Sequence, residues 1–250
     1  MEKQFGYVMD IGELMLVSGA EVRRVEESIS RMCNAFGASR VDVFIITSSM
    51  VVTVHTEDGT VYTQTRRVTS LTADYERLHH LNDLSRKICE HKLSEQEIAE
   101  KLSAIKQIKK IPLWLEIVCY AMIAGAFAIF FGGTLVESAV AMAVGIVVRL
   151  CLLVAELVIT NKIFGKFFST IVITLLAFSS VKLGLVSTPD NIIIGNIMAL
   201  IPGIGLTNAI RDLFTGDSIA GLLRSIEAVL AALAIAAGYF LVVVVGGLVV

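Results

Sequence analysis

The sequence has little charge, few prolines and no closely spaced pair of cysteines. Charged residues make up 18% of the 250 residues, there are 3 prolines, and the formal net charge is −2. Nucleic-acid binding depends on a basic field, which this balance does not supply, so we expect no nucleic-acid partner. The four cysteines are far apart in the sequence: Cys33, Cys89, Cys119 and Cys151. Their spacing predicts neither a disulfide framework nor a zinc site.

Apolar residues, in contrast, are abundant and unevenly distributed. Hydrophobic residues account for 55% of the chain and the mean hydropathy is +0.76, which is too apolar for a soluble domain of this size. Residues 1–110 contain most of the charged side chains and all 4 histidines, whereas residues 113–250 contain long uncharged runs. We therefore predict a polar domain over 1–110 and a transmembrane helical domain over 111–250.

The polar half opens with an amphipathic helical stripe. Apolar side chains recur at steps of three and four between residues 11 and 36, with one interruption at Ser18. The sequence SGAE at that point is typical of a capping box, with Ser18 as N-cap and Glu21 reaching back. This favours two helices that meet at Ser18, although one continuous helix also fits. Glu27 and Arg31 have the spacing of a helical ion pair, on a face that is either solvated or a docking surface.

A meander of three short strands follows the first helices. Residues 41–68 are rich in β-branched side chains, and the Asp58-Gly59 pair supplies the positive φ that a tight hairpin needs. The predicted antiparallel strands are 41–47, 50–56 and 60–67. Helical periodicity then resumes at 74–90 and 94–106, the latter with a capping box at Ser94 and Glu97. The polar half is therefore predicted to be a small α+β domain.

The polar domain lacks recognisable catalytic motifs. The sequence contains no H-E-x-x-H, no G-x-S-x-G and no glycine loop that would cradle a phosphate. His79, His80 and His91 do not have the ligand spacing that zinc sites use, and we interpret them as surface or packing residues. We therefore expect no enzyme activity, no metal, no nucleotide and no cofactor, and interpret the domain as a scaffold, gate or docking module.

Five apolar stretches, each close to the ~20 residues that cross a bilayer, make up the rest of the chain. They are 114–132, 134–159, 166–186, 191–210 and 226–249. Positive side chains gather at one set of their ends: Lys109, Lys110, Lys162, Lys166, Arg211 and Arg224. The other ends have only Lys182, so the positive-inside rule predicts that residues 1–110 lie in the cytoplasm. The predicted fold class is an α-helical integral membrane protein of about five transmembrane helices, preceded by a small α+β cytoplasmic domain.

Ionisable side chains within the spans are candidates for function, because a charge in hydrocarbon is costly. Arg149 is our candidate for binding substrate, and snorkelling to the interface is the alternative. The carboxylates that we expect to bind a coupling ion are Glu137, Glu156 and Glu227, and the proton is the first candidate for that ion. Each of these three carboxylates also has an interfacial interpretation.

The fourth predicted span contains an interruption near 201–206. Pro202, Gly203 and Gly205 are expected to break the helix and to leave carbonyls and amides without helical partners. Such ends are tolerated in a membrane where they line a cavity or are buried in protein. The positive dipole end of the second half-helix favours a carboxylate, and a discontinuous helix is typical of a transporter substrate site.

Polar side chains around this break complete the predicted substrate site. They are Asn196, Thr207, Asn208 and Arg211. The alternative is a simple proline kink, with Arg211 and Asp212 forming an interfacial pair.

Three stretches of the sequence are specific enough to indicate a family. They are GELMLVSGAEVRRVEESISRMCNAFG, the DGT hairpin followed by RRV, and LIPGIGLTNAIRDLFTGDSIAGLLRSIEA. They resemble the bacterial threonine/serine exporter (ThrE-like) family in its split, YjjP-type form, over essentially the whole chain. The matching positions are Ser18, Gly19, Glu21, Arg24, Glu26, Pro202, Gly203, Thr207, Asn208, Arg211, Asp212, Gly216 and Asp217.

The resemblance implies a subunit of a secondary transporter that exports small carboxylates or amino acids across the bacterial inner membrane. Succinate is the substrate implied by the split form, and threonine or serine by the fused form. Fused members carry a second block of membrane helices that this chain lacks, which implies a small second membrane subunit of the YjjB type and an oligomer. The alternative is a non-transporting membrane scaffold or regulatory protein that acts through its cytoplasmic domain.

Overall fold

The computed structural model describes residues 2–69, 71–91, 93–109, 111–158 and 161–247. Lys110, which contributes to the predicted orientation, lies outside these ranges. The chain forms two compact units. The first, here called the α+β unit, contains Met1–Lys109 and Ile204–Ser225; the second, the helical unit, contains Lys110–Gly203 and Ile226–Val250. Residues 204–225 therefore pack with the polar half of the chain, although the sequence analysis assigned them to the transmembrane domain.

The α+β unit is built from helices and a three-stranded sheet. Its elements in the polar half are α1 (Glu2–Val17), α2 (Val22–Ala35), β1 (Ala38–Ile46), β2 (Ser49–Thr56), β3 (Val61–Arg67), α3 (Tyr75–His91) and α4 (Glu95–Lys106). The strands pair antiparallel in the order β1-β2-β3, as the meander predicts. Met50, Val52 and Val54 of the central strand are fully buried, so that one face of the sheet closes the hydrophobic core.

Two local predictions in this unit are confirmed by backbone geometry. Gly59 has φ +84° in the β2–β3 turn, where Asp58 accepts a hydrogen bond from the Thr60 N–H at 3.1 Å. Ser94 is the N-cap of α4 and forms a complete capping box with Glu97. Both features depend only on residues that are neighbours in sequence.

The predicted capping box at Ser18 is wrong. The Gly19 N–H donates to Leu16 O at 3.1 Å and the Ala20 N–H donates to Met15 O at 3.1 Å, with φ +96° at Gly19. This pattern is a Schellman motif, so Ser18-Gly19 ends α1 rather than beginning α2. The N-cap of α2 is Glu21, which makes no side-chain capping bond.

The helical unit contains the long apolar helices. They are α5 (Leu113–Phe130), α6 (Leu135–Val158), α7 (Lys162–Lys182), α8 (Asp190–Leu200) and the greater part of α10 (Ser218–Gly247). Among the described residues four helices are long and apolar enough to cross a membrane, and α8 with α9 (Gly203–Thr215) makes five if that pair is one span. The predicted fold class, a multi-pass helical membrane protein with a small α+β domain, is confirmed.

Small residues allow the helices of this unit to approach closely. A Cβ added at Gly195 of α8 would lie 2.5 Å from the Ala124 carbonyl oxygen of α5. A Cβ added at Gly145 of α6 would lie 2.9 Å from the Tyr120 carbonyl oxygen, again on α5. The absence of side chains at these two positions therefore brings α6 and α8 against the backbone of α5.

The chain between α8 and α9 is interrupted at Ile201 and Pro202. With 11 residues, α8 is about 16 Å long, whereas the hydrocarbon core of a bilayer is about 30 Å thick. Alone, α8 reaches only part of the way across. Its end at Leu200 is thus a helix end within the apolar bundle.

Candidate functional site

A cavity of about 590 Å³ lies in the helical unit where α8 ends. Pro202, Ile201 and Leu200 form part of its wall, beside apolar side chains that include Leu152 of α6. Its polar lining comes from α5, α6 and the start of α7: Tyr120, Glu156, Asn161, Lys162 and Lys166. The helix break predicted from the sequence therefore borders an open, partly polar space.

The beginning of α7 gives this cavity a positive character. Asn161 is the N-cap of α7 and accepts a hydrogen bond from the Ile163 N–H at 2.9 Å. The N-terminus of the 21-residue helix thus opens at the cavity, and Lys162 and Lys166 follow within its first turns. Helix N-terminal amides and ammonium groups both attract anions. The predicted positive helix end is that of the second half of the broken helix, whereas the helix N-terminus at the cavity is that of α7.

Arg149 of α6 is buried one helical turn before Leu152, a residue of the cavity lining, and forms an ion pair with Glu116. Its Nε and Nη2 donate to Oε2 of Glu116 on α5, at 2.8 and 2.5 Å. Its Nη1 lies 3.9 Å from Oε1 of Glu156, one of the cavity residues. Arg149 and Glu156 are both predicted candidates, whereas Glu116, which lies only one turn inside the first span, is found only in the structure.

Asn196 of α8 is buried among the helices and is not one of the residues that line the cavity. Its Nδ2 donates to the carbonyl oxygens of Ala141 and Ile192, at 3.2 and 2.9 Å. Its Oδ1 makes no hydrogen bond to the residues that the structure describes. The bond to Ala141 joins α8 to α6, and the bond to Ile192 lies within α8, so the buried amide of Asn196 serves helix packing.

Glu137, a predicted coupling residue, completes a capping box at the start of α6. Its Oε2 accepts hydrogen bonds from the Thr134 N–H at 2.7 Å and the Thr134 hydroxyl at 3.1 Å, and Thr134 Oγ1 accepts the Glu137 N–H at 3.2 Å. Asn191 of α8 also donates to this carboxylate, at 3.3 Å. Glu227, the third predicted coupling residue, is exposed on α10.

The remaining residues of the predicted substrate site lie in the α+β unit. Asn208 donates to the carbonyl oxygen of Gly19 at 3.3 Å, and Arg211 forms an ion pair with Glu21. Gly205 and Thr207 are exposed on the same helix, α9. Pro202 and Gly203, in contrast, belong to the helical unit. The predicted set is thus divided between the two units.

The start of α10 strengthens this attachment of residues 204–225. Arg224 donates from Nη2 to the Ala20 carbonyl oxygen at 3.0 Å, and its Nη1 lies 3.2 Å from Oδ2 of Asp212. Arg224 is 7% exposed and Asp212 is 1% exposed, so the pair is buried. Ala220 is also buried in the hydrophobic core of this unit.

A pair of carboxylates lies close to these contacts. Burial, reinforced by the nearby Asp217 carboxylate, raises the pKa of Glu26 to about 7. The Ile45 N–H, which donates to Glu26 Oε1 at 3.2 Å, acts in the opposite direction. Two of the three motif stretches therefore meet here. The first contributes Gly19, Glu21 and Glu26, and the last contributes Asn208, Arg211 and Asp217.

A second, larger space of about 710 Å³ is an open groove between α2 and β1. Arg23 and Arg31 both pair with Glu27 there, at 3.2 and 3.1 Å, as the predicted Glu27–Arg31 pair requires. Two arginines and three carboxylates line the groove, so it does not present a purely positive or purely negative surface. Among the described residues, no group of three or more His, Cys, Asp or Glu side chains has a metal-binding arrangement.

Comparison with known proteins connects this architecture to transport. The family model described as "Putative threonine/serine exporter" (ThrE) matches residues 6–246. The chain is also similar to a protein of Klebsiella aerogenes named "Probable succinate transporter subunit YjjP", with 26% identity over 245 residues, 94% of this chain and 90% of the relative. The chain matches no solved structure.

Proposed function

Because the chain belongs to the threonine/serine exporter family, we propose that it is a subunit of a secondary transporter that exports small carboxylates or amino acids. The observation that carries this proposal is the cavity at the end of α8. It combines a helix break, two lysines and a helix N-terminus within an otherwise apolar bundle. Such a combination suits the carboxylate of a small substrate.

The depth of the cavity fits an intermediate position along a transport path. Tyr120 lies seven residues after the first residue of α5, which corresponds to about 10 Å along the helix. With residues 1–109 in the cytoplasm, as the positive side chains favour, the cavity opens from the inner half of the membrane. Substrate would then enter from the cytoplasm, the direction that export requires.

Succinate is the substrate that we propose first. A cavity of about 590 Å³ is within the range of small-molecule sites, and its lining includes Lys162 and Lys166, with Arg149 next to the lining residue Glu156. The relative from Klebsiella aerogenes is also named as a succinate transporter subunit. Threonine or serine is the second candidate, since Glu156 offers a carboxylate for an α-ammonium group.

We further propose a second membrane subunit of the YjjB type and an oligomeric assembly in the bacterial inner membrane. The similar Klebsiella protein is named a subunit, which supports a partner. Large apolar side chains of α10 are exposed in the isolated chain, among them Leu233, Phe240 and Val245. Lipid and a second subunit are both apolar surroundings that suit them.

The coupling ion is proposed to be a proton carried at Glu156. Of the three carboxylates predicted for this role, Glu137 makes the hydrogen bonds of a capping box and Glu227 is exposed on α10. Glu156 is the one that lines the cavity. Its position lets one side chain respond both to a substrate and to a proton.

The test is counterflow of labelled succinate into proteoliposomes that contain this chain and a YjjB-type partner. We expect saturable succinate flux that Lys166→Met impairs. Lys182→Met is the matched control, because Lys182 ends the same helix and lies outside the cavity lining. Unlabelled threonine and serine are tested as inhibitors of the flux of labelled succinate.

The rival function, a scaffold or regulator without transport, gives a different result. In that case proteoliposomes with the wild-type chain and its YjjB-type partner show no flux of succinate, threonine or serine. The full-length chain still binds a protein or ligand through the α+β unit. Equal flux in Lys166→Met and Lys182→Met would instead place the substrate path elsewhere in the bundle.

A further inference from the structure

The guanidinium of Arg149 is hydrogen-bonded to Glu116 through Nε and Nη2, whereas its Nη1 lies near Glu156 without a hydrogen bond to it. Nε and Nη2 both donate to Oε2 of Glu116, and the Nε–Oε2 distance of 2.8 Å is that of a charge-assisted hydrogen bond. Nη1 lies 3.9 Å from Glu156, beyond hydrogen-bond distance, and makes no hydrogen bond within the described part of the chain. The Arg149 side chain is only 10% exposed, so an unmet donor at this position is costly.

The two carboxylates differ in the freedom of their side chains. Glu116 is 31% exposed and anchors Arg149 from the neighbouring helix α5. Glu156 is 62% exposed, shares α6 with Arg149 two turns further on, and lines the cavity. Glu116 is therefore a fixed partner, whereas Glu156 is able to move away without leaving a buried carboxylate behind.

We propose that Nη1 of Arg149 is the carboxylate-binding donor of the transport cavity, and that Glu156 holds this position until a substrate carboxylate displaces it. This inference rests on the proposed function. The exchange replaces one negative charge by another, so Arg149 is never left without a counter-ion. A substrate carboxylate gains the hydrogen bond that Glu156, at 3.9 Å, does not make.

Glu116 acts in this scheme as a positioning residue. A guanidinium has five N–H donors in a rigid fork, so fixing Nε and Nη2 also fixes the direction of Nη1. Glu116 therefore determines which edge of Arg149 is turned toward Glu156, the residue that lines the cavity. Its loss would let Arg149 turn to Glu156 and close the site against substrate.

The displaced carboxylate also affects substrate choice. Once removed from Arg149, Glu156 remains in the cavity wall, where it attracts an α-ammonium group and repels a second carboxylate. Glu156 thus opposes succinate in two ways, by pairing with Arg149 and by repelling the second carboxylate. It assists threonine or serine once they are bound, through their α-ammonium group. The two substrate classes should respond oppositely when Glu156 is neutralised.

The experiment measures KM for succinate and threonine in proteoliposomes with the YjjB-type partner. Neutralising Glu156 in Glu156→Gln removes the competing anion, so we expect KM for succinate to fall by about three-fold, in keeping with a weak exposed ion pair. KM for threonine should rise. Asp190→Asn is the matched carboxylate control, because Asp190 is exposed at the first turn of α8. An unchanged or raised KM for succinate in Glu156→Gln overturns the proposal.

Three further variants separate binding from positioning. Arg149→Lys retains the charge but not the fork, so it should raise KM for succinate, and Glu116→Gln should raise KM while Glu116→Asp restores it in part. If Glu116→Gln behaves like the wild-type chain, the positioning role is wrong.

A binding measurement keeps this inference separate from the proposed function. Wild-type protein without flux refutes the transport function. In that case the thermal shift that succinate produces in the purified chain is compared between wild type and Glu156→Gln. A larger shift in Glu156→Gln supports displacement, and an equal or smaller shift refutes it.

Discussion

Arg211 of α9 forms an ion pair with Glu21, the residue that precedes the first turn of α2. The two residues are 190 positions apart in sequence and belong to the same compact unit. Sequence analysis assigned Glu21 to a capping box and Arg211 to the substrate path. The contact instead favours a shared role in holding α9 against the turn between α1 and α2.

We predict that Glu21→Ala and Arg211→Ala have similar, non-additive effects. Their side chains are 26% and 55% exposed, so we expect a coupling of about 0.5 kcal/mol in a double-mutant cycle of thermal unfolding. Succinate KM should change to the same extent in both variants. A raised KM in Arg211→Ala alone would assign Arg211 to substrate binding.

The buried pair of Asp212 and Arg224 should be far more sensitive. Asp212→Ala leaves the Arg224 guanidinium, which is 7% exposed, without its carboxylate, and we expect a loss of about 3 to 5 kcal/mol. Replacing both residues, with Asp212→Leu and Arg224→Met, should recover most of that loss. Thermal unfolding of the full chain in detergent measures the effect, with the exposed Lys101→Ala as control. Wild-type stability in Asp212→Ala would contradict a structural role for the pair.

The raised pKa of Glu26 predicts a pH dependence of stability. The folded protein retains this proton up to about pH 7, whereas the unfolded chain releases it near the ordinary value of 4.5. More protons are bound by the folded state in that window, so stability falls as pH rises from about 4.5 to about 7 and then levels off. Because Glu26 is partly exposed, we expect an effect of about 1 to 2 kcal/mol.

Thermal unfolding between pH 5 and pH 8 tests this effect. In Glu26→Gln the pH dependence of stability should be smaller than in the wild-type chain. In Glu27→Gln, at an exposed position on the same helix, it should be unchanged. Asp217→Asn should shift the window toward lower pH, because it removes the neighbouring negative charge. Parallel curves for wild type and Glu26→Gln would rule out proton retention at Glu26.

Glu137 is predicted to serve structure rather than ion coupling. Glu137→Ala and Thr134→Ala each remove part of the capping box, for which we expect a loss of about 1 kcal/mol in stability, whereas Glu137→Gln keeps an oxygen that accepts the Thr134 N–H. The pH profile of succinate transport should keep its wild-type shape in Glu137→Gln. A shifted profile in a variant with unchanged thermal unfolding would identify Glu137 as the coupling group after all.

Features determined by neighbouring residues were predictable from the sequence. The Asp58-Gly59 turn and the Ser94–Glu97 capping box both follow from short-range chemistry and both are present. The error at Ser18 has the same origin, because a serine followed three residues later by glutamate also fits a helix start. Gly19 at positive φ was the stronger signal, and it marks a helix end.

Features that depend on distant residues were not predictable in this way. The pairing of residues 204–225 with the turn after α1 joins two segments nearly 190 residues apart, and no local periodicity encodes it. Glu116 was missed because its position near a span end is typical of an interfacial carboxylate. Lys162 and Lys166 were used only to orient the spans, although they also line the cavity.

The attachment of residues 204–225 determines the order in which the α+β unit is completed during synthesis. Gly19 and Ala20 gain their contacts to Asn208 and Arg224 only after α5, α6, α7 and α8 have left the ribosome. Until then the first 109 residues lack a core residue, Ala220, and a buried ion pair. Membrane insertion of the intervening helices is therefore expected to precede the final folding of the domain that is translated first.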